Sequence, residues 1–416
     1  MSAATTTVPG AAAPASAPPL RRSWRDRIPS FLRARTPLGW LQLTHNRARL
    51  AAALAGVAFA DILILMQLGF MGALSETSVL SHRGWNADIV LQSATADHLD
   101  EVGTLPRRRL YQALAVEGVA SATPVYLAEL SWIDPGTDVK TRVRVYGADP
   151  ESPVFSDLDL ARQMAALKIP GAALFDRKAR GNYKALVEQV DRGQPADFEA
   201  LGRRFSIEGL FAQGASFTTD GTLVVSDQTF LRFFPTRAGG TPSMVFIKVE
   251  PGQDPKAVVE RLSAVLPSSD TRALTRDQVV ELELAYQSKQ RPIGFVFSFG
   301  VVIGVIVGIV IVYQVLTTDV QDHLAEYATL KAMGYPQRFF LGVVFEEALV
   351  LAGLGFLPGI IVALVLYQIA AAGTGLPVTM TVGRAAMVLG LTIAMCTASG
   401  AIATRRLAKA DPADLF

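Results

Sequence analysis

Cysteine and histidine are scarce in this sequence. Cys396 is the single cysteine, so the chain cannot form an internal disulfide, and the four histidines lack the short spacing of metal ligands. The sequence also has no G-x-x-x-x-G-K-[ST] loop for nucleotide phosphates, no G-x-S-x-G and no H-E-x-x-H. These absences predict a chain that is not an enzyme, with no metal site, no catalytic residues and no cofactor of its own.

Charge is also scarce, and its two signs nearly balance. Charged residues make up 18% of the sequence against 50% hydrophobic residues, and the formal net charge is +2. A protein that binds nucleic acid usually has a strongly basic face, so no nucleic-acid partner is expected. The positive mean hydropathy instead predicts membrane spans joined to a soluble portion.

Four apolar runs are long enough to cross a bilayer core of about 30 Å. The predicted spans cover residues 50–74, 292–316, 339–372 and 385–403. The third run is too long for one straight span. Glycine and proline residues predict a bend within it, namely Gly353, Gly355, Pro358 and Gly359. Residues 1–35 are rich in Ala, Pro, Thr and Ser, a composition that predicts a disordered N-terminus.

Positive charge is concentrated outside the first and last spans. Eight arginines and a single acid precede the first span, and Arg405, Arg406 and Lys409 follow the fourth in the tail 404–416. Because positive loops stay in the cytoplasm, this asymmetry predicts an inner-membrane protein with both termini cytoplasmic. Residues 36–49, which include Trp40, predict an amphipathic cytoplasmic helix that lies on the membrane lipid surface.

The segment 75–290 is then extracytoplasmic and predicts a large mixed α/β domain with a stalk. Its pattern indicates a strand at Ala87–Gln92, a helix from Pro106, a hairpin of Thr123–Ile133 and Thr141–Gly147, a strand at Ser243–Glu250 and a helix from Asp254. We expect a β-α-β unit at each end of this domain. Thr275 and Gln278 fit a capping box at the start of a stalk helix that leads to the second span.

The loop 317–338 between spans two and three predicts a short amphipathic helix. Thr318 and Gln321 fit a capping box, and Gly334 followed by Pro336 fits a helix stop. Its helical periodicity places apolar residues on one face and acidic residues on the other. The apolar face has Val320, Leu324, Tyr327 and Leu330, with Lys331 beside them, and the acidic face has Asp319, Asp322 and Glu326. An acidic helix of this kind favours docking on a partner protein over lying on lipid.

Small and polar residues inside the spans predict helix contacts. Gly300, Gly304 and Gly308 allow close approach of another helix, from this chain or a second copy, and we favour a contact near a dimer axis. Asp61 and Gln67 are costly in a membrane. Asp61 could line a proton or substrate path, or bond to a neighbouring helix, which we favour. Glu346, beside Glu347, reaches either the interface or the loop helix.

These features resemble the MacB/FtsX-type permeases, and most closely the DevC family of exporter permeases. The DevC-like blocks are Thr36–Leu43, Ala55–Asp61, Met66–Phe70 and Asp88–Leu91. Two further parts of the sequence resemble the broader permease signature. They are Glu326–Tyr335 with Glu346, and Arg405–Leu407 with Asp411–Ala413. The resemblance extends from about residue 36 to the end, and Asp61 matches the family pattern.

The resemblance implies that two permeases, expected to form a homodimer, pair with two copies of a cytoplasmic ABC ATPase. The ATPase is the subunit that uses ATP. The implied coupling residues are Val320, Leu324, Glu326, Tyr327, Leu330, Lys331 and Gly334. Motion would pass through the stalk to the extracytoplasmic domain, which acts with a periplasmic membrane-fusion adaptor and an outer-membrane channel. The expected function is thus an exporter permease that works by mechanotransmission.

Two other functions remain open at this point. One is an FtsX-like signalling permease that controls a periplasmic enzyme. The other is an ion-coupled secondary transporter that uses Asp61, although four spans without an inverted repeat argue against it.

Overall fold

The computed structural model describes residues 38–133, 139–289 and 291–409. The predicted N-terminal segment 1–35, the hairpin turn at Asp134-Pro135-Gly136 and the block Asp411–Ala413 lie outside these residues. The helices are α1 Leu38–His45, α2 Arg47–Arg83, α3 Arg108–Leu114, α4 Leu158–Gln163, α5 Lys184–Asp191, α6 Asp227–Phe233, α7 Pro255–Val265, α8 Arg276–Lys289, α9 Pro292–Asp322, α10 Leu324–Ala332, α11 Gln337–Thr374 and α12 Val382–Lys409. The strands are β1 Ile89–Ser93, β2 Val119–Ile133, β3 Lys140–Ala148, β4 Ala172–Asp176, β5 Ala196–Ala200, β6 Arg203–Phe211, β7 Gly221–Ser226, β8 Met244–Val249 and β9 Thr271–Thr275.

In the described part of the chain, four helices are long and apolar enough to cross a membrane: α2, α9, α11 and α12. They pack into one bundle, and the α/β domain lies between the first and the second of them. This arrangement confirms the predicted fold class. The end of the bundle beside the α/β domain is called the near end below, and the opposite end is called the far end.

The first spanning helix is longer than predicted. Helix α2 has 37 residues, or about 55 Å at about 1.5 Å per residue, against a bilayer core of about 30 Å. The helix contains the predicted span 50–74 and continues through residues 75–83 up to Gly84. Their polar composition concealed this extension, and Thr77, Val79 and His82 are buried against the rest of the protein.

The predicted surface helix 36–49 is also wrong in its extent and its setting. Helix α1 ends at His45, and Asn46 caps α2 by accepting a hydrogen bond from the Arg49 backbone N–H at 3.2 Å. Leu43 is buried in the core of the bundle, so α1 packs on the far end rather than only on lipid. Its Trp40 side chain is exposed.

Three other predicted boundaries shift for the same reason, that helical hydrogen bonding continues beyond the apolar run. Helix α9 extends past residue 316 to Asp322, and α12 extends beyond 385–403 at both ends. Helix α11 continues through the predicted bend with Pro358 inside it. It ends at Gly375, whose φ of 67° is a left-handed conformation that glycine adopts without strain.

The α/β domain is built on one nine-stranded mixed sheet in the order β5-β6-β4-β7-β3-β2-β8-β1-β9. Strands β1, β2, β8 and β9 with α3 and α7 form a split β-α-β arrangement, in which β8 lies between β1 and β2. The predicted β-α-β unit at each end is present in chain order, but its strands interleave. The intervening β3–β7 segment adds parallel pairs β3–β7 and β4–β6.

The stalk helix α8 begins as its capping box predicts. The Thr275 backbone N–H donates to Gln278 Oε1 at 2.9 Å, and the Gln278 N–H donates to Thr275 Oγ1 at 3.2 Å. The helix then runs beside the extension of α2 and ends just before Pro292 begins α9. Two helices therefore connect the bundle to the α/β domain.

Candidate coupling site

Helix α10 forms the turn between α9 and α11 at the far end. It ends as predicted, because Gly334 has a φ of 91° and the Tyr335 N–H donates to the Leu330 carbonyl at 3.2 Å. The predicted capping box at Thr318 is wrong. Helix α9 continues through it, and the Thr318 hydroxyl donates to the Gln314 carbonyl at 2.9 Å within that helix.

The apolar face of α10 packs inward on the bundle. Tyr327 is buried with its ring centroid 5.5 Å from that of Phe340 on α11, and Leu324 and Leu330 pack against the same core. Val320 is not on this helix; it is buried near the end of α9. The bundle of the same chain buries Val320 and Tyr327 and partly covers Leu324 and Leu330, so these four residues form no open docking face; their role in coupling stays a prediction.

The exposed side of the loop carries a different set of residues. Glu326, Lys331 and Gly334 of the predicted coupling residues are exposed. Met333 is 63% exposed and Tyr335 is 44% exposed, directly after α10. Neither Met333 nor Tyr335 is among the coupling residues predicted from the sequence. Their signal was an apolar side chain out of phase with the buried face of the helix.

A cluster of charged groups joins α2, α9 and α11 at the far end. Arg49 on α2 pairs with Asp322 and has its Nη1 3.7 Å from Asp319 Oδ1. The Asp319 carboxyl contacts that of Glu347, which is fully buried. The sequence pointed to Glu346 instead, but that side chain is only half-buried. Two adjacent acids on one helix point about 100° apart, so burying one leaves the other outside.

The glycine ladder on α9 faces the same chain. A Cβ atom on Gly300 would lie 2.5 Å from Gln67 Cδ, and one on Gly304 would lie 2.7 Å from Ile64 Cγ1. At Gly308 the neighbour is Met395 Sδ of α12, at 2.5 Å. The favoured dimer-axis contact for these glycines is therefore wrong, because α2 and α12 fill the space that they open.

Asp61 lies where three spanning helices meet. It is fully buried on α2, and its Oδ1 accepts a 2.6 Å hydrogen bond from the Thr392 hydroxyl of α12. On the α11 side, a Cβ on Gly359 would lie 3.1 Å from Asp61 Cβ. This geometry supports the helix-bonding interpretation of Asp61 over a transport path.

A second connection at the near end joins the α/β domain to α11 and α2. The Arg180 side chain donates from Nε to the last-turn Thr374 carbonyl of α11 at 2.7 Å, and also bonds Asp220 and the Ser216 carbonyl. Gln213 Nε2 donates to the Ser81 hydroxyl of α2 at 2.7 Å. The two long helices are therefore supported by two loops of the domain.

The stalk itself is tied to the domain by charged and buried polar groups. Asp100 pairs with Arg144 of β3 and with Arg291, the residue just before α9. Glu283 on α8 accepts hydrogen bonds from the Leu99 N–H at 2.8 Å and from Gln287 at 2.9 Å. Burial raises the pKa of the Glu283 carboxyl, and these two hydrogen bonds oppose that rise.

No three His, Cys, Asp or Glu side chains converge as metal ligands within the described ranges. The far end holds the short loop helix and the buried acids. It is connected through the packed spanning helices to the stalk and the α/β domain.

Two protein families match the chain in the same order as these parts. Residues 50–265 match the MacB-like periplasmic core domain, which is just over half of the 416 residues. Residues 298–412 match the FtsX-like permease C-terminal family. The chain belongs to the MacB/FtsX-type permeases. Members of this family are integral membrane subunits that generally work with a cytoplasmic ATPase.

Solved structures of three protein domains are similar to part of this permease. The periplasmic region of MacB from Actinobacillus actinomycetemcomitans is 11% identical, with 48% of this chain and 93% of that chain covered at a TM-score of 0.32. The extracellular domain of the transporter YknZ from Gram-positive bacteria is 12% identical, with 45% and 99% covered at a TM-score of 0.31. A domain of a permease protein from Porphyromonas gingivalis is 12% identical, with 46% and 89% covered at a TM-score of 0.27. A search of curated proteins found no match.

Proposed function

We propose that this permease is the membrane subunit of an ATP-driven exporter. A separate cytoplasmic ABC ATPase docks on the exposed residues around the end of α10, which we name the loop surface: Glu326, Lys331, Met333 and Tyr335. The chain lies in the inner membrane with both termini cytoplasmic, and it works as a homodimer. The observation that carries this proposal is an exposed loop surface built directly on the buried joint between two spanning helices.

Mechanical transmission follows from how the loop surface is supported. Tyr327 anchors α10 to Phe340 of α11, and α9 leads without a break from Asp322 to Pro292. A displacement of α10 by the ATPase is therefore passed to both helices. The stalk and the Arg180 contact with Thr374 then pass it to the α/β domain. That domain acts on a periplasmic adaptor and an outer-membrane channel, and the exported substrate is taken up outside the cytoplasm.

The experiment is purification of the tagged full-length chain from its native membrane, with identification of what accompanies it. Met333→Asp and Tyr335→Asp place a charge on the loop surface without disturbing the buried Tyr327. Leu158→Asp is the matched control, since Leu158 is an exposed apolar residue of the α/β domain, at 71% exposure. We expect about tenfold less ATPase with the loop variants, the loss typical of one interface anchor, and no change with the control.

The recovered partners separate the possible functions. An adaptor or channel with the wild type supports export, whereas a peptidoglycan hydrolase supports the signalling alternative. Equal ATPase recovery with all three variants contradicts the loop surface as the docking site. Absence of any ATPase with the wild type contradicts the exporter proposal itself.

A further inference from the structure

The buried acids at the far end carry an inference that does not depend on the ATPase. Glu347 is fully buried, and neither of its carboxyl oxygens has a hydrogen-bond donor among the described residues; the same is true of Asp319 Oδ2. Yet the two carboxyl groups contact each other. Two ionised carboxylates in contact repel each other and lose their hydration, which is unfavourable in a protein interior.

One proton resolves this arrangement. A proton on Glu347 turns its contact with Asp319 into a hydrogen bond, and it satisfies one oxygen on each side of the pair. Asp319 is the partner that stays ionised, because it faces the Arg49 guanidinium. Arg49 Nη1 lies 3.7 Å from its Oδ1, and the His323 ring Nδ1 lies 3.8 Å from its Oδ2.

We propose that Asp319 and Glu347 form a single-proton binding site that holds the last turn of α9 against α11. These are the two helices that flank α10. With the proton bound, a short hydrogen bond joins them; without it, two buried negative charges push them apart. The site therefore sets how firmly the loop helix is held at its base.

The surroundings of the pair restrict access to it. Gly39 of α1 covers Glu347 so closely that a Cβ at that position would lie 2.9 Å from Glu347 Cγ. Asp319 instead lines a cavity of about 140 Å³ beneath α1, so protons exchange through Asp319. Several charged or titratable groups face the pair. They are Arg49 of α2, Asp322 at the end of α9, His323 directly after it, Glu346 of α11 and, across the cavity, His45 of α1.

Infrared spectroscopy of the full-length chain in lipid bilayers tests the site directly. The carbonyl stretch of a protonated carboxyl is distinct from carboxylate bands, and an exposed glutamate is ionised at about pH 7.5. We expect Glu347→Gln to remove the band of one protonated carboxyl per chain at this pH. Glu346→Gln is the matched control one residue away and leaves that band unchanged. Other protonated acids cancel in the difference spectra.

Loss of carboxylate bands rather than of the protonated band in Glu347→Gln would overturn the proposal. A second variant keeps the test decisive if that protein does not fold. In Asp319→Asn, Glu347 stays buried and protonated but loses its charged acceptor, so we expect the band to remain at a changed frequency. An unchanged band there would show that the two carboxyls do not share a proton. No step of this test requires the ATPase, so its outcome is separate from that of the proposed function.

Discussion

The two ends of the helix bundle are built from different interactions. At the near end, long helices continue into the α/β domain, and donors such as Arg180 and Gln213 meet defined acceptors. At the far end, the short helices α1 and α10 pack on the bundle, and buried carboxyls lack donors among the described residues. Satisfied hydrogen bonds fix one geometry, whereas unsatisfied buried charge can be relieved by movement or by a proton. In the proposed function, the far end receives the motion and the near end transmits it.

The largest effect should come from removing the anchor of the loop helix. Tyr327→Ala leaves a cavity beside Phe340 and should lower the free energy of unfolding by about 3–5 kcal/mol, as for other buried aromatic residues. Lys331→Ala on the exposed side of α10 should change it by less than about 0.5 kcal/mol. Denaturant unfolding of the purified chain in detergent measures both, and equal effects would contradict the inward packing of α10.

A smaller loss is expected in the glycine ladder that links the two ends. Gly304→Ala places a methyl group 2.7 Å from Ile64 Cγ1 and should cost about 1–3 kcal/mol through overpacking. Gly390 has no neighbouring atom within 4 Å of such a methyl group, so Gly390→Ala should be neutral or stabilising by up to about 1 kcal/mol. Thermal unfolding compares the pair. If both variants behave alike, the close approach of α9 and α2 is not as described.

The second connection at the near end should contribute less. Arg180→Ala removes the bonds to Thr374, Ser216 and Asp220, and should loosen that joint by about 1–2 kcal/mol. Hydrogen exchange at residues 213–220 should rise by about tenfold as a result.

The matched control for this joint is three residues away. Among the ion pairs that the structure describes, the Arg177 side chain has only one, with Asp191 on the exposed surface. Arg177→Ala should leave exchange at residues 213–220 unchanged, because exposed ion pairs contribute little. Faster exchange in both variants would mean that the whole loop, and not the Arg180 contact, was disturbed.

The smallest expected effect is the pH dependence of the stalk. Burial raises the pKa of Glu283 above its ordinary value of 4.5. At a pH between these two pKa values, the folded chain therefore holds a proton that the unfolded chain has released. Stability from this group should therefore be greatest at low pH and fall as pH rises above about 4.5 through the folded pKa. Glu283→Gln should flatten this slope, whereas Glu281→Gln, at an exposed position, should not. An unchanged slope in Glu283→Gln would assign the titration to another group.

The apolar runs alone determined that the chain has four helices able to span a membrane, with a large α/β domain between the first and the second. Composition suffices for this because every peptide group inside a bilayer must be bonded within a helix, so a long apolar run has one available structure. Local capping was readable at two places, although the capping box predicted at Thr318 was wrong. Thr275 and Gln278 at the stalk, and Gly334 after α10, act through bonds to residues close by in the sequence.

Only the tertiary structure decided which surface each helix presents. Tyr327 and Leu330 read as a docking face by periodicity, but an apolar stripe packs equally well on a partner or on its own bundle. The same ambiguity hid the neighbour of Gly304 and the choice between Glu346 and Glu347. These outcomes depend on contacts between residues far apart in the chain, and the order of residues along one helix carries no record of them.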